Sequence, residues 1–495
     1  MMKTIHIPRI PCWAFALLFA VCATASANQG AAPYSWSHPE VLTTAAIPRT
    51  VLPPVDQARL LAEDSRKFSE TGAGAEKRLR VAMPNRVTLN ADRDGRWIPL
   101  ADGSRLWLLQ LHSDGATDLR LGFARFDVPA GVTLHLIDTA AHRFDGPFTV
   151  ADTSPDHQLW LAPFSGSDAT LELHVPAGVE LAAGAIQLSS AGTGYRNTTE
   201  SGGPGLFGAG MSGTCNIDVV CPLGAPYADE IAAVAKYYFE EPDGTYLCSG
   251  TLMNDTTQDF TPYFLTANHC ISTQAAATSM SLIWNYQSPT CGAHGGGSTA
   301  DTQNGGATLV AHRTDVDFSL VRLNSTPSSA YNVVYAGWDA NGAAVQGSIG
   351  IHHPSGWVKA ITQNTHTLTT INSCIGTGGS GTHWQTGPYA QGTTEGGSSG
   401  SAILIPAGDA SGSGGRVIGT LSGGGAACNG SVPNNQPDCY GKLSVAFNGP
   451  TPAQRLSDWL APATDTIFQN GFDPATAVQA QILTMPSATR PASAQ

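Results

Sequence analysis

The residues best suited to chemistry form a glycine-rich loop at residues 395–401, with the sequence Glu-Gly-Gly-Ser-Ser-Gly-Ser. The apolar stretch 402–405 follows directly, and it predicts a strand that leaves the loop. A loop of this kind can direct backbone N–H groups to a point in front of a serine hydroxyl, as the tetrahedral intermediate of acyl transfer requires. An ordinary Gly/Ser turn is the alternative, because the chain contains 55 glycines. A base and an orienting carboxylate elsewhere in the chain would favour catalysis.

Candidates for the base and the carboxylate lie upstream of the loop. His269 follows a short apolar stretch and adjoins Cys270, which could tether the backbone beside it. Asp317 begins an apolar alternating stretch, where a desolvated carboxylate would need a donor such as an imidazole N–H. We therefore predict that Ser399 is a nucleophile, His269 its base, and Asp317 the group that orients the imidazole. Asp315 is the competing carboxylate, but Asp317 lies closer to the apolar segment.

Two rival chemistries are disfavoured by the positions of the histidines. Gly-x-Ser-x-Gly is also satisfied with Ser398 as nucleophile, but that esterase architecture needs its histidine after the serine. No histidine follows His383. The pair His352 and His353 are adjacent in sequence, so they do not share a helix face as zinc ligands would. We expect no metal and no cofactor.

The composition predicts a β-rich chain with more than one domain. A length of 495 residues is too great for one compact core. Charged residues make up only 13% of the chain and glycine is abundant, which favours short strands and turns. The net charge is −13, and no run of Lys or Arg occurs. Nucleic acids and anionic membrane surfaces are therefore not expected as partners.

The N-terminus predicts export. Residues 1–27 combine a mildly basic start, an apolar run and a small-residue cleavage pattern, so we expect a signal peptide cut after Ala27. Two of the ten cysteines lie in this segment. The other eight are expected to form disulfides, as is usual in exported domains. These are Cys215, Cys221, Cys248, Cys270, Cys291, Cys374, Cys428 and Cys439.

The cysteines also divide the chain into two units. Apolar runs recur between turns at about 96–190, which predicts a small antiparallel sandwich or barrel. Residues 190–214 are rich in Gly, Ser and Thr and have the composition of a linker. All eight remaining cysteines follow it. This asymmetry indicates a propeptide before a mature enzyme, with two permanent domains as the alternative. The end of the chain, 474–495, is predicted to be disordered or removed.

Beyond the serine loop, several further stretches carry a resemblance. The expected mature part, about residues 210–473, resembles the lysyl endopeptidases, secreted bacterial serine proteases of the chymotrypsin superfamily. The matching stretches are residues 215–222, 263–270, 284–286, 336–339, 351–354, 397–401 and 455–460. The resemblance implies an all-β fold. The mature part is expected to be a chymotrypsin-like double β-barrel, preceded in the chain by a β-rich propeptide domain. The resemblance also implies a propeptide at 28–209 and a trypsin-like protease domain at 210–473.

Site residues follow from the same resemblance. It implies His269, Asp317 and Ser399 as the triad, and the backbone N–H groups of Gly397 and Ser399 as the oxyanion hole. It further implies the disulfides Cys215–Cys428, Cys221–Cys291 and Cys248–Cys270. Cys374 and Cys439 are then left over, and we expect them to pair as an addition to the family pattern.

Substrate preference is expected to depend on Asp438. A carboxylate at the base of the pocket for the residue before the cut bond would select a cationic side chain. Asp438 matches the position where the family holds that aspartate, which implies cleavage after Lys. Ser422 stands where the family has a histidine beside the substrate. By composition alone, a loop aspartate is the simpler interpretation of Asp438, and a preference for Arg is the main alternative.

The expected function is thus that of a secreted, extracellular serine endopeptidase that cuts protein and peptide substrates after basic residues. We expect a monomer whose own propeptide assists folding or blocks the site. A protein of another class, a non-catalytic secreted β-domain protein for binding or adhesion, is the second hypothesis.

Overall fold

The computed structural model describes residues 30–43, 46–71, 76–198, 213–409, 412 and 414–462. The expected signal peptide, the expected mature start at Gly210 and the expected tail at 474–495 all lie outside these residues. Within them, no helix has both the length and the apolar character needed to cross a lipid bilayer.

Helices are short and few compared with strands. Only the third is longer than two turns, in agreement with the abundant glycine and the short apolar runs between turns. The α-helices are α1 (Tyr34–Ser37), α2 (Glu40–Thr43), α3 (Gln57–Thr71), α4 (Ala228–Ala233), α5 (Gln274–Thr278), α6 (Leu443–Phe447) and α7 (Ser457–Leu460).

Strands of the N-terminal unit enclose one apolar core between two sheets. The strands are β1 (Arg49–Val51), β2 (Leu79–Met83), β3 (Arg86–Asn90), β4 (Arg96–Pro99), β5 (Arg105–His112), β6 (Asp118–Phe126), β7 (Thr133–Asp138), β8 (Arg143–Phe148), β9 (Leu159–Trp160), β10 (Phe164–Ser165), β11 (Asp168–Val175) and β12 (Ile186–Gly194). One sheet has the order β1-β5-β11-β7-β8 with β4 beside β5, and the other is built around β6 and β12.

The N-terminal unit is larger than the expected 96–190. Leu52 and Ala91 belong to its core, and β12 continues to Gly194. Residues 190–194, expected to belong to the linker, are therefore strand. Their small side chains serve packing, because a Cβ at Gly194 would collide with the carboxylate of Asp118 on β6. Small residues at a close approach between strands have the same composition as a linker.

The C-terminal unit contains the remaining strands and has the chymotrypsin-like architecture. They are β13 (Ile217–Asp218), β14 (Val234–Glu241), β15 (Gly244–Met253), β16 (Tyr263–Thr266), β17 (Ser281–Trp284), β18 (Thr302–Gln303), β19 (Ala307–Arg313), β20 (Phe318–Leu323), β21 (Gln346–His352), β22 (Ala360–Thr367), β23 (Thr369–Cys374), β24 (Thr377–Gln385), β25 (Tyr389–Gln391), β26 (Ala402–Leu404), β27 (Val417–Gly424), β28 (Cys428–Asn429), β29 (Val432–Pro433) and β30 (Asp438–Lys442).

These strands form two halves, and the serine loop belongs to the second. The first half follows the path β18-β17-β14-β15-β16-β20-β19, and the second follows β22-β21-β26-β27-β30-β24-β23. Strand β2 of the N-terminal unit pairs with β15, so one sheet continues from the N-terminal unit into the first half. The all-β, chymotrypsin-like fold expected from the sequence is confirmed.

Away from the serine loop, a buried carboxyl group makes the stability of the fold depend on pH. Glu230 on α4 is 6% exposed, and burial raises its pKa to about 7. The folded state thus binds more protons than the unfolded state between about pH 4.5 and pH 7, so stability falls as the pH rises through that window. Glu230→Gln is expected to raise the unfolding free energy by roughly 1 to 2 kcal/mol at pH 8 and by little at pH 4.

Thermal unfolding at the two pH values measures this effect. Asp156→Asn, at an exposed carboxylate, is the matched control and should leave the stability unchanged at both pH values. An equal stabilisation by Glu230→Gln at both pH values would contradict the assignment of the penalty to an ionised Glu230.

Candidate active site

Strand pairing brings the expected base and carboxylate together. His269 lies just after β16, and Asp317 just before β20. These two strands pair antiparallel, with Thr266 opposite Ser319, so the end of one meets the start of the other. The Cys248–Cys270 disulfide ties the residue after His269 to β15. The sheet therefore positions both side chains at the same edge of the first half.

Hydrogen bonds connect three side chains in a row. His269 Nδ1 lies 2.8 Å from Asp317 Oδ2, and its Nε2 lies 2.7 Å from Ser399 Oγ. The backbone N–H of His269 donates to the other carboxylate oxygen of Asp317 at 2.9 Å. Asp317 is 1% exposed and Ser399 is fully buried. With a proton on Nδ1, the imidazole donates to Asp317 and presents a free Nε2 to the serine hydroxyl.

Backbone geometry shapes the serine loop. Gly397 has φ +91° and Gly400 has φ +81°, a region that favours glycine. At Gly400 a Cβ would also collide with Thr266 Oγ1 of β16. The N–H groups of Gly397 and Ser399 both point to one carbonyl oxygen, that of Lys77, at 2.5 and 3.4 Å. The loop thus offers two donors at one point, as an oxyanion hole requires.

Ser398, the rival nucleophile, has different partners. Its Oγ lies 2.8 Å from Nδ1 of His352 and accepts from the backbone N–H of Glu395 at 3.0 Å. Burial lowers the pKa of His352 to about 3, so this histidine stays neutral at ordinary pH. Asp315, the competing carboxylate, pairs instead with Arg313 at 2.6 Å. Neither rival lies in the hydrogen-bonded row.

A buried pocket beside the loop has Asp438 at its base and a lysine inside it. Lys77 and Asp438 are each 1% exposed, and Lys77 Nζ lies 2.6 Å from Asp438 Oδ1. The ammonium also donates to the Ala426 carbonyl at 2.8 Å and to the hydroxyl of Thr394. Its three N–H donors therefore meet three acceptors. Burial lowers the pKa of Lys77, and the Asp438 carboxylate opposes that shift.

Three pocket residues were not found by sequence reasoning: Thr394, Ala426 and Tyr389. The hydroxyls of Tyr389 and Thr394 both donate to Asp438 Oδ2, the former at 3.1 Å. Burial raises the pKa of Tyr389, so it remains a protonated donor. Thr394 directly precedes the serine loop, and that adjacency was an available signal. No local sequence pattern indicates Ala426 or Tyr389 as pocket residues, because they lie in segments distant in sequence from the serine loop.

Ser422, expected beside the substrate, lies near the end of β27, directly before Gly423. It is fully buried, and no polar atom among the described residues lies within hydrogen-bonding distance of its Oγ. Its neighbour Gly423 forms an antiparallel bridge with Glu76. The backbone at the end of β27 thus pairs with the segment of the N-terminal unit that carries Lys77.

The eight cysteines form four disulfides in the structure. The pairs are Cys215–Cys428, Cys221–Cys291, Cys248–Cys270 and Cys374–Cys439. The last pair adjoins the pocket, because Cys439 follows Asp438 and its Sγ lies 3.5 Å from the Gly423 carbonyl oxygen. Clamping β30 to the end of β23 restrains the wall that carries Asp438.

Family models match both units of the chain. The model for the lysyl endopeptidase N-terminal domain covers residues 51–190, and that for the C-terminal domain covers residues 209–441. The match from residue 51 agrees with the larger N-terminal unit seen in the structure.

A curated relative points in the same direction. A lysyl endopeptidase of Pseudomonas aeruginosa is 30% identical over 381 residues, which covers 74% of this chain and 77% of the relative. Among solved structures, the serine protease AL20 has a TM-score of 0.30 at 17% identity, covering 45% of this chain and 93% of its own. Protease Anisep from Arthrobacter nicotinovorans has a TM-score of 0.30 at 16% identity, covering 44% and 92%. On the evidence of the two family models and the Pseudomonas relative, the chain belongs to the lysyl endopeptidase family and is a serine endopeptidase.

Proposed function

We propose that this serine endopeptidase is secreted and hydrolyses peptide bonds after lysine, with Ser399, His269 and Asp317 as its triad. The observation that carries the proposal is the buried Lys77 side chain, whose ammonium meets Asp438, Thr394 and Ala426 at the base of the pocket. A substrate lysine would make the same three contacts.

The triad roles follow from the hydrogen-bonded row. Ser399 Oγ attacks the substrate carbonyl carbon while His269 Nε2 takes its proton. Asp317 stabilises the imidazolium that forms, and the N–H groups of Gly397 and Ser399 stabilise the oxyanion. His269 then protonates the leaving amine, and a water activated by the same histidine releases the acyl group. The serine proton moves between Ser399 Oγ and His269 Nε2, which lie 2.7 Å apart, while Asp317 Oδ2 lies 2.8 Å from the other imidazole nitrogen.

The pocket contacts favour lysine over arginine. A guanidinium binds a carboxylate best through two parallel N–H donors, one to each oxygen. Here Asp438 Oδ2 already accepts from Tyr389 and Thr394, which leaves Oδ1 for the substrate. A compact ammonium needs only one carboxylate oxygen and finds its other acceptors nearby. Arginine would have to displace a hydroxyl donor.

Paired peptides that differ only at the residue before the cut bond test this preference. With enzyme purified from the culture medium, we expect kcat/KM for Lys to exceed that for Arg by at least about 10²-fold, since about 3 kcal/mol of pairing is lost. The matching Gln peptide should be cut still more slowly. Equal rates for Lys and Arg would contradict Lys selectivity and support the Arg alternative. Recovery of the active enzyme only from cells would contradict secretion.

A further inference from the structure

A segment of the N-terminal unit crosses the cleft in the manner of a substrate. We call residues 76–83 the cleft segment. Glu76 bridges antiparallel to Gly423, Lys77 fills the pocket, and β2 then pairs antiparallel with β15. The chain therefore runs from the pocket side, past the serine, to the far side of the cleft. This direction places the bond after Lys77 where a scissile bond would lie.

The Lys77 carbonyl occupies the proposed oxyanion hole. Its oxygen accepts from the N–H groups of Gly397 and Ser399, at 2.5 and 3.4 Å. Ser399 Oγ faces the same cleft and lies 2.7 Å from His269 Nε2. The side chain and the carbonyl of one residue thus meet the two features that a substrate would use. Intramolecular presentation of this kind removes the entropy cost of bringing the reactants together.

Residues on the far side of the bond are also held. Arg78 donates to the His269 carbonyl at 3.2 Å, and its guanidinium lies 4.6 Å from the Tyr246 ring centre. Beyond it, β2 pairs on one side with β15 and on the other with β12. A new amine at Arg78 would therefore stay next to the site after a cut.

A buried ionic cluster ties the two sides of the bond together. Arg80, after the bond, pairs with Glu63 at 3.0 Å and with Asp64 at 2.7 Å, both on α3 before the bond. Arg196 also pairs with Asp64, at 2.8 Å, and the Tyr195 hydroxyl donates to the Asp64 carboxylate at 2.6 Å. Arg80 is only 6% exposed. The cluster braces α3 against β2 whether or not the chain between them is continuous.

We propose that the Lys77–Arg78 bond is a self-cleavage site, cut by Ser399 of the same molecule, and that the Arg80 cluster helps the pairing of β1 with β5 to retain both new ends. This inference rests on the proposed function. Ser399 Oγ bonds to the Lys77 carbonyl carbon as the Lys77–Arg78 C–N bond breaks, and His269 passes the serine proton to the Arg78 nitrogen. Water then hydrolyses the ester, which leaves a carboxylate at Lys77, an amine at Arg78 and a restored Ser399 hydroxyl.

Burial makes the reaction intramolecular. Lys77 is 1% exposed within its own pocket, so a second enzyme molecule cannot reach it while the chain is folded. The Lys77–Arg78 bond thus differs from the bonds after exposed lysines, which any enzyme molecule could cut. Lys67 on α3, with 57% of its side chain exposed, is the natural comparison.

The test follows the full chain by mass spectrometry during incubation at several protein concentrations. We expect a chain that begins at Arg78, formed at a first-order rate that does not depend on concentration. The two pieces should elute together under native conditions and separate in denaturant. Ser399→Ala should remain intact at Lys77, even with added wild-type enzyme, until it is unfolded.

Variants at two lysines provide the matched pair. Lys77→Gln should abolish the chain that begins at Arg78, and Lys67→Gln should leave it unchanged. Because β1 also holds the first piece against β5, Arg80→Gln should lower the denaturant concentration at which the pieces separate. If Lys77→Gln does not fold, the wild-type time course and Ser399→Ala still decide the matter.

Three results would overturn the inference: a cut rate that rises with protein concentration, cutting of folded Ser399→Ala at Lys77 by added enzyme, or an intact Lys77–Arg78 bond in enzyme that hydrolyses external lysyl peptides. The last result leaves the proposed function standing. Absence of lysyl peptide hydrolysis by enzyme freed from its N-terminal unit would instead contradict the proposed function itself.

Discussion

Replacing Ser399 with alanine is expected to lower kcat/KM for lysyl peptides by roughly 10⁶-fold. The hydroxyl 2.7 Å from His269 Nε2 is the only atom in the row that can form the ester, so its removal leaves only the oxyanion hole and the pocket. Steady-state hydrolysis of a lysyl peptide measures the loss. Labelling by a fluorophosphonate should disappear in the same variant.

Ser398→Ala is the matched control. Its hydroxyl bonds to His352 and to the Glu395 N–H rather than to His269, so we expect kcat/KM within about tenfold of the wild type and about 1 kcal/mol less stability. Labelling should persist at Ser399. Loss of labelling in Ser398→Ala with retention in Ser399→Ala would reverse the assignment of the nucleophile.

Replacing Asp438 with asparagine is expected to lower kcat/KM for lysyl peptides by about 10³-fold, because a buried ammonium without its anion loses about 3–5 kcal/mol. The triad is not touched, so hydrolysis after an uncharged residue should change little. The ratio of the two rates is the measurement. An unchanged preference for lysine in Asp438→Asn would show that Asp438 is not the selecting group.

The same variant should also weaken the folded full chain, because Lys77 is buried against Asp438 at 2.6 Å. Denaturant unfolding in a Ser399→Ala background avoids self-cleavage. There we expect Asp438→Asn to lose about 3–5 kcal/mol and Lys77→Met with Asp438→Asn to regain much of it, since no charge is then left unpaired. Additive losses in the double variant would contradict direct pairing of Lys77 with Asp438.

Local signals were enough to nominate the serine, the histidine and the aspartate. The glycines around Ser399 are needed for backbone angles, and His269 and Asp317 lie at strand ends, where a sequence pattern is readable. The order of these residues along the chain disfavoured the esterase architecture without any structure. The β-rich fold could likewise be predicted from short apolar runs between glycine turns, since both depend on neighbouring residues.

Contacts between distant segments could not be read in the same way. Nothing in the composition of residues 76–78 indicates a lysine that would fill a pocket 361 positions away in the chain. Tyr389 and Ala426 complete that pocket only because β25, β27 and β30 converge there. Residues 190–194 have the composition of a linker, yet pairing with β6 makes them a buried strand. Residue types and local periodicity thus determined the candidate chemistry and the fold class. Long-range packing decided what occupies the cleft, because a buried charge acquires its partner only when the chain has folded.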